Sequence, residues 1–379
     1  MTTNTDPLIA LLRKHIFQSG GRIPFADLMS LALYDSQYGY YCRETFALGE
    51  KGDFTTASES SPLFARCLAR QCEAILAAVP GASILELGAG TGRFAGDVLS
   101  ALMERGFAPQ YYYIYEISLT LRKKQRALIE AAYPALLDRI VWLDALPKDF
   151  CGVIIANEVL DALPVHCFRL TSGAIQERSV TVEQDQLVWI EHPPTTPGLE
   201  AEVRRLQMQY AFPEEYASEI NLNLLPFMRD LSDALTKGVL LITDYGYGES
   251  EYYHPARHRG TLTCFHAHRH HDDPLIFLGQ QDITAHVDFS RVLVCAEEVG
   301  FALSGYATQA LFLLDCGLLQ ILAEAESHLS VSEQFKLHQS VKMLTLPTEM
   351  GERVKVMVLH KNLPLPLQGF KTQDLRRQL

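Results

Sequence analysis

One glycine cluster and several strand-end carboxylates carry the chemistry of this chain. In Ile84-Leu85-Glu86-Leu87-Gly88-Ala89-Gly90-Thr91-Gly92 an apolar run breaks into three closely spaced glycines. Glycine lets the backbone turn sharply and lets a ligand approach with no Cβ in the way. The helix expected next offers the free N–H groups of its first turn. Gly90-Thr91-Gly92-Arg93-Phe94-Ala95 also satisfies a relaxed dinucleotide fingerprint, so the glycines alone fit either a nicotinamide cofactor or S-adenosylmethionine. Glu116 ends the next β-rich run and could accept both ribose hydroxyls of either ligand. Glu86, inside the end of the first run, suits a cationic or amino-acid-bearing ligand and opposes a pyrophosphate. That tips the choice toward S-adenosylmethionine. Asp144, just past a third run, is placed to meet an adenine edge, with a turn cap as the plainer reading.

A second set of acids follows a fourth, wholly apolar run at 152–156: Asn157-Glu158-Val159-Leu160-Asp161. In open parallel sheets ligands bind beyond the carboxyl ends of the strands, so a polar pair emerging there faces the pocket. Glu158 and Asp161 share one side if a helical turn starts here, and two carboxylates match the fork of donors on a guanidinium. An ordinary helix N-cap with acidic neighbours is the alternative. Asp244 closes a fifth run in a similar way and is expected to point at the same edge. Six of the thirteen histidines lie between His254 and His271. The run His266, His268, His270, His271 lacks a matched distant set of ligands, so no metal is assigned. A base or substrate contact from His266, or from His286 in His286-Val287-Asp288-Phe289, is the reading taken.

These side chains need a frame. Runs at 83–87, 111–115, 140–143, 152–156 and 238–242 alternate with helical patterns at 62–79, 93–104 and 119–133, and 307–314 and 354–360 could supply the last strands. Strands alternating with helices predict an α/β fold, a mostly parallel sheet covered on both faces. A strand pair and two helices are expected between 169 and 232, and a loop-rich stretch from 245 to 290. Intervals of that length in a compact domain are usually lids or binding elements. The expected division is an N-terminal helical and lid segment, 1–61, and a main domain, 62–379, with insertions at about 169–232 and 245–290.

Composition narrows the function. Forty-five Asp and Glu against 33 Lys and Arg give a formal net charge of −12, which argues against a nucleic-acid partner needing a basic face. Eight cysteines form no C-x-x-C pair and sit mostly in apolar company, as in a reducing compartment. The most apolar segment, 310–323, is interrupted by Asp315 and is too short to span a bilayer. Neither a signal nor a transit peptide is read at the N-terminus, so a cytoplasmic location without membrane insertion is expected. Oligomeric state is not legible.

The order of several motifs resembles one family. F-A-D-L-M-S-L-A-L-Y, Y-G-Y-Y, G-D-F-T-T-A, E-L-G-A-G-T-G, N-E-V-L-D-A-L-P, D-Y-G, Q-D-I-T-A-H-V-D-F and M-G-E-R-V-K-V, spread from Phe25 to Val356, are similar to the MidA family of class I (Rossmann-like) methyltransferases. The resemblance implies a seven-stranded sheet of that class. It implies that Gly88, Gly90, Gly92 and Glu116 bind S-adenosylmethionine, that Asp53, Phe54, Thr55 and Thr56 close over it, and that Asn157 and Glu158 sit at the methyl-transfer end. Mitochondrial members of this family act in complex I assembly as protein arginine methyltransferases. A protein arginine, such as one on a respiratory-complex subunit, is therefore the implied acceptor. Ser36 and Ser58 stand where the family commonly has proline, and Ala65 where it commonly has glycine, which loosens two loops near the N-terminus.

The expected reaction is in-line transfer of a methyl group from a sulfonium to an arginine nitrogen held by Glu158 and Asp161. The protein supplies alignment and electrostatics. Three rivals stay open: a nicotinamide-dependent dehydrogenase, a small-molecule methyltransferase, and an assembly factor that keeps the fold without catalysis.

Overall fold

A computed structural model describes residues 6–43, 61–327 and 329–379. Chain order begins with α1 (Pro7–Gln18), β1 (Arg22–Pro24), α2 (Phe25–Tyr34), α3 (Pro62–Ala78), β2 (Ser83–Leu87), α4 (Arg93–Glu104), β3 (Tyr112–Tyr115), α5 (Leu119–Ala132), β4 (Ile140–Leu143) and β5 (Phe150–Asn157). There follow β6 (His166–Thr171), β7 (Ala174–Glu183), β8 (Gln186–His192), α6 (Leu199–Gln209), β9 (Glu215–Ile220), α7 (Leu224–Ala234) and β10 (Leu235–Tyr247). The chain closes with β11 (Thr263–His266), β12 (Arg269–His271), β13 (Asp282–Thr284), β14 (Val287–Asp288), α8 (Phe289–Glu298), β15 (Ala302–Thr308), α9 (Gln309–Asp315), α10 (Leu318–Glu326), α11 (Val331–Thr345) and β16 (Val354–Lys361).

The main sheet runs β15-β16-β10-β5-β2-β3-β4, with short β14 added to β10 as an eighth strand. β4, β3, β2, β5 and β10 run parallel to one another, whereas β16 is antiparallel to both β10 and β15. This is the mostly parallel α/β sheet that the alternation of runs predicts. β5 and β10 lie in its middle, where an all-apolar strand can be buried on both faces. One face packs Leu63, Phe64 and Leu68 of α3, Val98 and Leu99 of α4, and Phe312 and Leu313 of α9. The other packs Met228 and Leu231 of α7 and Val292 and Cys295 of α8. The run 307–314, expected as a strand, is instead the end of β15 followed by α9. A short buried apolar run does not reveal its period, and here the helix buries Phe312 while Gln309 donates to Leu344 O (3.0 Å).

The two insertions leave from the ends of β5 and β10, so both rise over the carboxyl edge of the sheet. The first holds more than a strand pair: β6, β7, β8 and β9 form an antiparallel sheet that β1 joins through β7. The second carries a three-stranded sheet, β12-β11-β13, rather than loops alone. Leu12 of α1, Leu28 of α2, Val180 of β7, Cys264 of β11 and Ile283 of β13 share one core. Three segments far apart in sequence are thereby packed into one body above the sheet edge. No described helix is long and apolar enough to cross a membrane.

Candidate functional site

Chain order reverses on either side of β2: β3 and β4 extend one way, β5 and β10 the other. A crevice opens at the carboxyl edge of such a reversal, and a cavity of about 400 Å³ lies there. Its floor is the glycine loop. Gly88 (φ +63°) and Gly90 (φ +53°) line it in a left-handed conformation that side chains resist. Gly92 does not line it. Gly92 caps α4, and a Cβ there would stand 3.2 Å from Gln125 Cα, so this glycine serves helix packing.

Glu86 lines the cavity from the end of β2 and accepts a hydrogen bond from the Tyr112 hydroxyl (2.9 Å). Glu116 lines it just after β3, accepting from Ser118 N (2.9 Å) and Gln125 Nε2 (3.1 Å), with burial raising its pKa. Gln125 also donates to Gly90 O (3.1 Å) and accepts from Trp142 Nε1 (2.9 Å), tying the carboxylate to the glycine loop. A buried glutamine on α5 was not singled out in the sequence, because nothing local distinguishes it from a surface one. Asp144 is not in the cavity. Its side chain is 94% exposed and paired with Arg122 (2.5 Å), while Arg122 also holds Glu116 O and Leu143 O. That guanidinium, bound to the ends of two strands, keeps Asp144 outside, and Leu146 forms the cavity wall instead.

Asn157, Glu158 and Asp161 all line the cavity, but no helical turn brings them together. Asp244 does. It is buried at the edge of β10, where Oδ2 accepts from the successive N–H groups of Val159 (3.2 Å), Leu160 (2.8 Å) and Asp161 (3.3 Å), and Oδ1 accepts from Tyr245 N (2.8 Å). Successive N–H groups around one anion form a nest. This nest holds Glu158 at φ +51°, a conformation uncommon outside glycine. Asp244 thus points behind the loop and not at the ligand edge, correcting the expectation from sequence. Asn157 Oδ1 accepts from Thr243 Oγ1 (2.5 Å) across the β5–β10 register.

Asp244→Ala is expected to lose about 3 kcal/mol or more of stability, since four backbone N–H groups lose their shared acceptor. Asp244→Asn, whose amide oxygen still accepts, should lose clearly less. Urea unfolding of the two variants checks the order.

His286 is absent from this cavity. It borders a separate space of about 30 Å³ between the sheet edge and the first insertion. Its ring lies near Tyr245 (6.4 Å) and edge-on to Tyr247 (5.2 Å). Burial, with Arg257, Lys355 and Arg353 nearby, pushes its pKa down to about 4, so it is neutral and is not a base at the acceptor end. His266 sits in the β11–β12 hairpin, stacked on Phe277 and hydrogen-bonded to Gln280 O. Among the described residues no His, Cys, Asp or Glu group could hold a metal ion. Asp53, Phe54, Thr55, Thr56 and Ser58 lie outside the described residues. The sequence reading missed Tyr34, Tyr41 and Asp282, which reach the cavity from the N-terminal segment and the second insertion.

The electrostatics are one-sided. Glu86, Glu116, Glu158, Asp161, Asp230 and Asp282 line the cavity with no Lys, Arg or His among the described lining residues. A pyrophosphate does not fit such a set, whereas a sulfonium bearing an α-amino group does. Burial also raises several carboxyls: Asp244, beside Glu158, to about 8; Asp288, beside Glu249, to about 7; and Asp161 well above its usual range. An unfolded carboxyl releases its proton near pH 4, so at higher pH the folded state holds more protons and loses stability, by about 1.4 kcal/mol per pH unit per group. His286 acts oppositely, but only between about 4 and its ordinary 6.5. Thermal melting of the ligand-free protein should therefore fall from pH 6.5 to pH 8. A rise over that range would contradict these assignments.

Residues 67–307 match the model of a family described as "Putative S-adenosyl-L-methionine-dependent methyltransferase". The human protein named protein arginine methyltransferase NDUFAF7, mitochondrial, is 30% identical, with 98% of this chain and 88% of that protein covered. Its Drosophila melanogaster homologue is 28% identical, covering 90% of this chain and 82% of its own. A crystal structure from Burkholderia thailandensis, bound to S-adenosyl-homocysteine, superimposes with a TM-score of 0.92 at 36% identity over 98% of this chain and 96% of that one.

Proposed function

Because the chain belongs to this family of S-adenosyl-L-methionine-dependent methyltransferases, we propose that its acceptor is an arginine side chain of a protein substrate. The observation that carries this is the cavity with six lining carboxylates and no cation among its described lining residues. Such a wall is costly to hold ionised until positive charge enters. The naming of the human and fly relatives as protein arginine methyltransferases supports the same reading.

S-adenosylmethionine supplies an electrophilic methyl group on a positively charged sulfur. Glu116 would hold the ribose hydroxyls, Gly88 and Gly90 would let the backbone approach the ligand, and Glu86 would meet its amino-acid end. Glu158 and Asp161 grip the guanidinium in the paired geometry that carboxylates offer to arginine. As the N–C bond forms and the methyl–sulfur bond breaks, leaving a neutral thioether, the acceptor nitrogen must lose a proton. Asp161 is placed to take it, because burial and its acidic neighbours raise its affinity for protons. Asn157, fixed by Thr243, sets the boundary between the two ligands. The N-terminal segment and the insertions act as a lid, and the eight free cysteines suit a reducing, cytoplasmic site of action.

The test is methyl transfer from isotopically labelled S-adenosylmethionine into extract of cells lacking the protein. Label in one protein band, recovered as methylated arginine, is expected. That band would identify the partner, with a respiratory-complex subunit the first to examine. Label confined to small molecules would overturn the protein acceptor. No label despite cofactor binding would point to an assembly factor that has lost catalysis.

A further inference from the structure

The acceptor end of the cavity has a second wall that the segment after β5 does not supply. Asp282, the first residue of β13, is 2% exposed, lines the cavity and accepts a hydrogen bond from the Tyr41 hydroxyl (2.7 Å). The antiparallel pairing of Asp282 with Phe265 in β11 fixes its position. Tyr41 is in turn tied to the start of α5, where its carbonyl accepts from Ser118 Oγ (2.8 Å). Beside it Tyr34 donates to Ala162 O (2.8 Å), and the two rings stack with centroids 5.6 Å apart and planes 26° apart. Both rings line the cavity.

Asp161 shares this cavity. Its side chain lines it, the residue is 8% exposed, and the backbone N–H groups of Asp161 itself and Ala162 donate to its carboxylate. The second insertion is anchored to it through Ala285 N and Asp161 O (2.9 Å). Asp161 and Asp282 are near enough for the charge of one to raise the proton affinity of the other. Two buried carboxylates on separate elements and a flat aromatic surface make a specific demand on a ligand. It must be cationic, it must donate hydrogen bonds along more than one edge, and it must be planar enough to lie on rings. A guanidinium meets all three, with five donors in a plane and a face that stacks. An ammonium is a compact charge whose donors radiate from one point.

We propose that Asp282, oriented by Tyr41, is a specificity-determining residue that forms the acceptor subsite together with Asp161 and selects a guanidinium over an ammonium. This inference rests on the arginine reading above and adds to it the residues that enforce the choice. Tyr41 acts through Asp282 as a positioning residue. Because Asp282 and Tyr41 come from the second insertion and the N-terminal segment, the body above the sheet edge supplies acceptor recognition while the sheet supplies the cofactor site.

The experiment compares wild-type protein, Asp282→Asn and Tyr41→Phe by calorimetry, using a blocked Gly-Arg-Gly peptide, its Gly-Lys-Gly counterpart and S-adenosyl-homocysteine. The wild type should prefer the arginine peptide by about tenfold or more. Asp282→Asn should weaken arginine binding by about 30-fold or more and erase the preference. Its melting curve and its S-adenosyl-homocysteine affinity, within about twofold of wild type, would show an intact fold and cofactor site. Tyr41→Phe should raise KM for the arginine peptide by about fivefold with kcat little changed, since the carboxylate remains but is less firmly aimed. If the wild type methylates the arginine peptide and Asp282→Asn binds it equally well, this inference is overturned and the arginine reading stands. A wild type that takes the lysine peptide equally well, or binds neither, overturns both.

Discussion

Glu158→Gln is expected to bind S-adenosylmethionine within about twofold of the wild type while losing roughly 10²–10⁴-fold in methyl transfer, the range for one well-placed acid–base or electrostatic group. The substitution keeps size and shape but replaces a carboxylate oxygen by an amide that cannot receive a cation. The backbone should hold, because Glu158 N still donates to Thr243 O (2.8 Å) and the Asp244 nest still gathers the three N–H groups that follow. That separation of binding from turnover is what identifies an acceptor residue. Equilibrium binding beside single-turnover methyl transfer makes the measurement. Normal turnover in the variant would remove Glu158 from the reaction.

Gly90→Val should act one step earlier and abolish cofactor binding. Gly90 sits at φ +53° in the cavity floor. A left-handed conformation costs an ordinary L-residue roughly 1–2 kcal/mol, and a β-branched one more. The valine side chain would also project where the ligand must approach. Strain in the loop should reach Glu116 as well, because Gln125 bonds both Gly90 O and the Glu116 carboxylate. The expected result is a loss of S-adenosylmethionine affinity of about 100-fold or more with the fold retained. Calorimetry and a melting curve on the same preparation check both halves. Binding near the wild-type level would mean that the ligand does not approach this part of the loop.

Glu158 and Asp161 show how local rules and tertiary structure divided the work. Their proximity to the ligand edge was legible, because an all-apolar run ending in Asn-Glu marks the carboxyl end of a buried strand. The reason for their convergence was not. A helical turn was expected, whereas the structure uses a left-handed residue and a buried aspartate from a strand more than eighty residues later. Asp244 itself was noticed for its place after a strand but given the wrong direction, since a sequence does not say toward which side of a loop a carboxylate turns. Asp144 and His286 failed for a related reason. One is drawn outward by Arg122, and the other is walled off by Tyr245 and Tyr247.

Residue pattern alone was enough for the α/β class, the chain order of the strands that carry ligand groups, the glycine loop with Glu86 and Glu116, and the acids after β5. Each of those depends on periodicity or on residues adjacent in the chain, and local sterics and hydrophobic pattern act at that range. That Tyr41 and Asp282 meet, 241 positions apart, and line one cavity follows from tertiary packing alone. The same packing decided that the N-terminal helices and both insertions share one core. Such contacts depend on which apolar faces bury one another once the sheet has formed, and no spacing along the chain records that choice.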